Sequence, residues 1–136
     1  MQLVIELKSL DEAQWRERLT PDQYRICRQA QTEPPFSGRY YFHDQVGCYH
    51  CVCCNGALFS SEQKYLSGQG WPSFWAPLHQ RAIKTRLDER GDVVRTQVVC
   101  ARCQAHLGHL FEDGPPPTGL RFSINSAALK FVAVEV

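Results

Sequence analysis

The chain carries no excess charge of either sign: fifteen Lys and Arg stand against fourteen Asp and Glu, a formal net of +1. Binding a phosphate backbone needs a basic face, so nucleic acid is not an expected partner. Long apolar runs are also missing. Phe131-Val132-Ala133-Val134 falls far short of the roughly 20 residues that span a bilayer. The expectation is a soluble chain with no membrane partner. The opening MQLVIELKSLDEAQW has neither a long apolar stretch nor a small-residue cleavage site, which makes the expected location cytoplasmic. Apolar residues at 43% and charged residues at 21% exclude disorder and low-complexity repeats. A length of 136 residues predicts one domain over 1–136, expected to act as a monomer.

Cysteine is present in quantity. Seven are too few for a disulfide scaffold and odd in number, so in a reducing compartment they read as metal ligands or reactive thiols.

Ser9-Leu10-Asp11-Glu12 and Thr20-Pro21-Asp22-Gln23 both have capping-box spacing, and the second has Pro at the first helical position. Two short N-terminal helices are predicted, the second running to about Ala30 with Tyr24 and Cys27 on one face. Beyond the turn-forming Thr32–Gly38, short runs rich in β-branched and aromatic residues predict strands at 39–46, 57–60, 83–87, 93–99, 120–125 and 129–136. Asp88-Glu89-Arg90-Gly91-Asp92 reads as a hairpin turn and Gly114–Gly119 as a second break. The fold class is mainly β, with antiparallel sheets.

Cys51-x-x-Cys54 and Cys100-x-x-Cys103 form two pairs of the kind that curl around one tetrahedral zinc ion. Asn55-Gly56 tolerates the left-handed backbone that follows such a knuckle. Redox-active CxxC pairs and unligated core cysteines are the alternatives. A closed four-thiolate site leaves no open position for substrate, so its role would be stability. Cys48 and Cys53 have no assigned role.

His106 and His109 follow the second knuckle three residues apart. Alone, two such histidines are more often structural or surface groups than acid–base catalysts. Gly70-Trp71-Pro72-Ser73-Phe74-Trp75 is an aromatic cluster that fits either a core or a ligand wall.

Together these segments resemble the B-type methionine sulfoxide reductases. The likeness rests on Cys51-x-x-Cys54 with Leu58-Phe59, Ser67–Phe74, Cys100-x-x-Cys103, His106-Leu107-Gly108-His109, and Arg121-Phe122-Ser123-Ile124-Asn125-Ser126-Ala127. Tyr24-Arg25 and Thr32–Gly38 extend it over nearly the whole chain from about Asp11. The resemblance implies a zinc-pinned, β-tent-like domain. It also implies reduction of the R epimer of methionine sulfoxide, mainly within oxidised proteins, with recycling by thioredoxin. By the same likeness Trp71, with Phe111 and Phe122, would hold the substrate methyl. His106, His109 and Asp113 would form the polar shell round the sulfoxide oxygen, and Arg121 and Asn125 would flank the nucleophile on one strand face.

The chain departs from the family at that nucleophile: a cysteine is expected at 123 and Ser123 stands there. The reaction needs an atom that can carry oxygen as a sulfenic acid, which a hydroxyl cannot do. The chain is therefore expected to be inactive as written. Ser123 is either an engineered Cys→Ser trap, which the intact neighbouring motifs favour, or a natural form that binds methionine sulfoxide without reducing it. A zinc-stabilised protein-interaction module is the third reading. The family's usual resolving cysteine position, two before Trp71, is Gln69 here; Cys27 is the best substitute, with Cys48 or Cys53 the lesser alternative, and a buried core residue beside Tyr24 is the other reading of Cys27.

Overall fold

The computed structural model describes residues 10–134. Two helices lead the described chain, α1 (Glu12–Arg18) and α2 (Pro21–Cys27). The α1 cap is Asp11, whose carboxylate accepts from the Gln14 amide while the Gln14 side chain accepts from Asp11 N. The expected cap, Ser9, lies outside the described residues, and Asp with Gln three residues on makes an equally good capping box. Helix α2 starts as expected, with Thr20 and Gln23 exchanging the same pair of bonds and Pro21 at its first position. It stops at Cys27 rather than Ala30, because Ala30 enters the left-handed region at φ 56° and no helix continues through that geometry. The helices bury Trp15, Tyr24, Ile26 and Cys27, and the Arg28 guanidinium lies 4.2 Å from the centre of the Trp15 ring.

The strands are β1 (Gly47–Cys51), β2 (Ala57–Ser60), β3 (Lys64–Tyr65), β4 (Ser73–Phe74), β5 (Ile83–Asp88), β6 (Arg95–Cys100), β7 (His106–Phe111), β8 (Arg121–Ile124) and β9 (Leu129–Ala133). They form a three-stranded sheet in the order β2-β1-β9 and a six-stranded sheet in the order β3-β4-β8-β7-β6-β5, paired antiparallel throughout. The fold is mainly β, as expected. Between the sheets Phe59 stacks on Phe74 at 4.4 Å, and Tyr49 meets Phe74 edge-on at 5.3 Å. Each such buried ring contributes roughly 1.5–3 kcal/mol. Among the described residues no helix is long and apolar enough to cross a membrane.

Two expected strands need correction. Residues 39–46 make turns instead of a strand. Tyr41 N and His43 N donate to carbonyls three residues back, Tyr40 N donates to Ser126 Oγ, and the aromatic residues serve packing, with Tyr40 edge-on to Tyr49. The final strand ends at Ala133, and the last two residues of the expected 129–136 run lie outside the described residues.

Strand β7 was hidden by its irregular sequence, and the structure supplies the cause. Val98 pairs with Gly108 but Val99 pairs with His106, so Leu107 is an extra residue, a β-bulge. In a regular strand residues three apart face opposite ways. The bulge returns His106 to the face of His109, and their rings meet edge-on at 5.3 Å. On the β8 side the Leu107 carbonyl accepts from both the backbone and the side-chain amide of Asn125.

Candidate active site and metal centre

The β1–β2 and β6–β7 connections are near copies of one knuckle. Cys51 N donates to Gly56 O and Asn55 N to Cys51 O; Cys100 N donates to Ala105 O and Gln104 N to Cys100 O. Asn55 and Gln104 each take φ 65°. The knuckles bring Cys51, Cys54, Cys100 and Cys103 together with all four sulfurs within 4.8 Å of one another. Cys51 to Cys103 and Cys54 to Cys100 are both 3.6 Å. Tetrahedral thiolates at about 2.3 Å from a zinc ion sit about 3.8 Å apart, so the donor set fits such an ion. The crowded sulfurs also call for a cation. Contact with Cys100, first among the neighbours, pushes the Cys51 and Cys54 thiols up, while Cys100 alone is pulled down, chiefly by Cys103. The cluster ties the three-stranded sheet to the six-stranded one.

A separate cavity of about 270 Å³ opens over β7 and β8, lined by Thr32, Gln69, Trp71, Arg95, His109, Phe111, Arg121, Ser123 and Asn125, with Gly108 at its floor. Ser123 pairs across the sheet with His109 on one side and Ser73 on the other. Arg121, Ser123 and Asn125 share one strand face. The Arg121 guanidinium lies 4.2 Å from the centre of the Phe111 ring and donates to Asp113 through Nε at 2.8 Å and Nη2 at 3.1 Å. That contact holds the Asp113 carboxyl below the usual carboxylate range.

Glu33 frames the cavity from behind. Its carboxylate accepts from Ser126 N and Ala127 N, its backbone N donates to Asn125 Oδ1, and its carbonyl accepts from Trp71 Nε1, all between 2.9 and 3.0 Å. Burial pushes this carboxyl up despite the two amides. Trp71 and Asn125 are thus set by one buried residue.

The expected site residues do not all reach the cavity. Trp71, His109, Phe111, Arg121, Ser123 and Asn125 line it. Phe122 faces away, 6.1 Å from Phe59 in the core, because alternation places 122 opposite 121 and 123. His106 is buried behind His109, its Nδ1 accepting from Gln97 Nε2 at 2.7 Å while Gln97 Oε1 accepts from Arg86. Burial above all holds the His106 pKa at about 4, which keeps the ring neutral near pH 7. Asp113 stands outside the lining and meets it only through its contact with Arg121. Cys27 is buried in the core with the four clustered cysteines, and its neighbour Arg28 donates to the Cys103 carbonyl at 3.0 Å.

Sequence reasoning missed Asp88, Glu33, Gln97 and Arg95. In the sequence Asp88 shows only as part of a turn. Its buried carboxylate accepts from His109 Nε2 at 2.9 Å and from Arg90 through both oxygens.

Gly108 has a steric duty. A Cβ there would lie 1.9 Å from the Ser123 carbonyl oxygen. Gly108→Ala must push β7 off β8, and the expected result is a loss of about 2 kcal/mol or more in urea unfolding.

A β fold pinned by two cysteine knuckles, with a polar cavity on its larger sheet, defines the class. The family model for the SelR domain matches residues 19–133. Proteins named peptide methionine sulfoxide reductase MsrB are similar along most of their length. That of Thioalkalivibrio sulfidiphilus is 58% identical over 120 residues, 88% of each chain. That of Hahella chejuensis is 51% identical over 130 residues, 96% of this chain and 93% of its own. That of Pseudomonas savastanoi pv. phaseolicola is 54% identical over 125 residues, 92% and 94%. The chain belongs to the B-type methionine sulfoxide reductase family.

Proposed function

We propose that the cavity over β7 and β8 binds the R epimer of methionine sulfoxide in oxidised proteins, and that Ser123 leaves the chain able to bind it but not to reduce it. The observation that carries this reading is Ser123 itself, set beside His109 at the floor of a cavity walled by Trp71 and Phe111. The aromatic walls suit a methyl group on an electron-poor sulfur, and Arg121 and His109 suit the sulfoxide oxygen.

In the cysteine form, the thiolate at 123 attacks the sulfoxide sulfur and takes its oxygen. A proton from the site neutralises that oxygen, methionine leaves, and position 123 becomes a sulfenic acid. Cys27 then attacks the sulfenic sulfur and expels water. Thioredoxin, acting as a dithiol, reduces the resulting disulfide. Thr32, five residues beyond Cys27, lines the cavity, so unwinding the end of α2 is the route by which Cys27 reaches it. The four-cysteine cluster would hold structural zinc, which stabilises the fold and takes no part in these steps. Ser123 favours a second reading as well, a natural reader of oxidised methionine. Both readings require binding.

The test is calorimetry with a short peptide carrying methionine R-sulfoxide, S-sulfoxide or methionine. The expected result for the unaltered chain is saturable binding of the R epimer alone, with no methionine released, weakened about tenfold by Trp71→Ala. Absence of binding to any sulfoxide would overturn the proposal and favour the interaction-module reading.

A further inference from the structure

The cavity over Ser123 continues past Thr32, Arg95 and His109 into a second one, of about 490 Å³, beneath the β5–β6 turn. Asp88 lines the second cavity beside His109, with its carboxylate only 8% exposed. The carboxylate is turned inward although the side chain of its partner Arg90 is 54% exposed. What this burial achieves is visible in its bonds. Asp88 Oδ1 accepts from Arg90 N at 3.2 Å and Nε at 2.8 Å; Oδ2 accepts from Arg90 Nη2 at 2.7 Å and His109 Nε2 at 2.9 Å. Arg90, and then His109, hold this carboxyl far below the usual carboxylate range, so it only accepts. A single ring proton on His109 therefore sits on Nε2, and Nδ1 is left as an acceptor facing the site.

The other groups around His109 do not supply this constraint. His106 is neutral, with Nδ1 committed to Gln97. Arg121 is committed to Asp113 and Phe111. Arg95 lines both cavities and, being a donor, can add no acceptor. Arg90 Nη1 also donates to Ala30 O at 2.9 Å, which fastens the turn to the segment that leads into Thr32.

We infer that Asp88 is a positioning residue of this site: it accepts from His109 Nε2 and so leaves Nδ1 as the ring atom that, in the cysteine form, takes the thiol proton of its ladder partner at position 123 and hands it to the sulfoxide oxygen. The assignment rests on the proposed sulfoxide ligand, but its core, the tautomer, is measurable without turnover. In Asp88→Asn the new amide nitrogen meets donors on either edge. Turned toward His109 it donates to Nε2 and moves the ring proton to Nδ1, as loss of the carboxylate does in other Asp–His pairs.

The experiment is a long-range nitrogen–proton correlation spectrum of the labelled, unaltered chain, with His109→Gln used to assign the signal. His109 is expected as the Nε2–H tautomer, shifting toward Nδ1–H in Asp88→Asn. In the Ser123→Cys background, Asp88→Asn should lower kcat about 30-fold with KM within about twofold. Arg90→Ala, which keeps the carboxylate–imidazole contact, should retain the tautomer and most of kcat, and it guards against a folding failure of the first variant. An Nδ1–H signal in the unaltered chain, or full kcat in a folded Asp88→Asn protein, overturns the role of Asp88. An inert Ser123→Cys protein with His109 held as Nε2–H counts against the reductase chemistry alone.

Discussion

The Ser123→Cys chain is expected, without reductant, to yield about one methionine per chain from the R epimer and none from the S epimer, where the serine chain is expected to yield none from either. The expected gain over the serine chain is about a thousandfold or more, because the two residues differ in kind. A serine hydroxyl stays un-ionised near neutrality and would have to become a peroxide to hold the oxygen. A thiol of ordinary pKa about 8.5 lies within reach of activation and passes through a sulfenic acid. Position 123 supplies activating surroundings: Arg121 is its neighbour on the same strand face, and His109 is its partner across the ladder. Free thiols should fall by two per chain when Cys27 resolves the sulfenic acid. Cys27→Ser should leave methionine formation intact and limit the loss to one. Cys27 is only 2% exposed, so disulfide formation should lag behind methionine release while the end of α2 opens. Methionine from neither epimer would overturn the reductase reading.

The parts of this site that were legible in the sequence are those whose spacing matches a local geometry. The two CxxC knuckles need only a four-residue turn and a left-handed residue after it, and Asn55 provides the latter visibly. Residues 121, 123 and 125 share a face by simple alternation. What escaped is what depends on long-range partners. The His106–His109 pair could not be placed on one face without the bulge at Leu107, and a bulge is set by the neighbouring strand and by Asn125, not by the local pattern. Phe122 was assigned to the substrate wall with its neighbours, although alternation sends it to the core. Asp88 sits in a turn-like run of Asp, Glu, Arg and Gly, and its sequence carries no sign that the carboxylate folds inward onto His109. Glu33 likewise reads as part of a Pro-rich loop, yet it collects the amides of Ser126 and Ala127, more than ninety residues away.

Removing the metal should have the second large effect, and the placement of the cluster says why it reaches the cavity. The four cysteines join the β1–β2 hairpin of one sheet to the β6–β7 hairpin of the other, and β7 begins three residues after Cys103. Without a cation, four sulfurs within 4.8 Å cannot all be thiolates, so the cluster must protonate and loosen. Structural zinc contributes about 10 kcal/mol or more in small zinc domains, comparable with the whole stability of a domain this size. Elemental analysis should find one zinc per chain. Cys100→Ser, or prolonged chelation, should lower the thermal midpoint by about 15 °C or more and abolish sulfoxide binding, since His109 and the Leu107 bulge lose the anchor of their strand. Cys48→Ser is the control: Cys48 lies half-buried on β1 outside the cluster, and its replacement should leave zinc content and binding unchanged. A zinc-free chain that keeps its midpoint and its binding would show that the knuckles hold their shape by hydrogen bonds alone, and would remove the metal from any account of how the site is built.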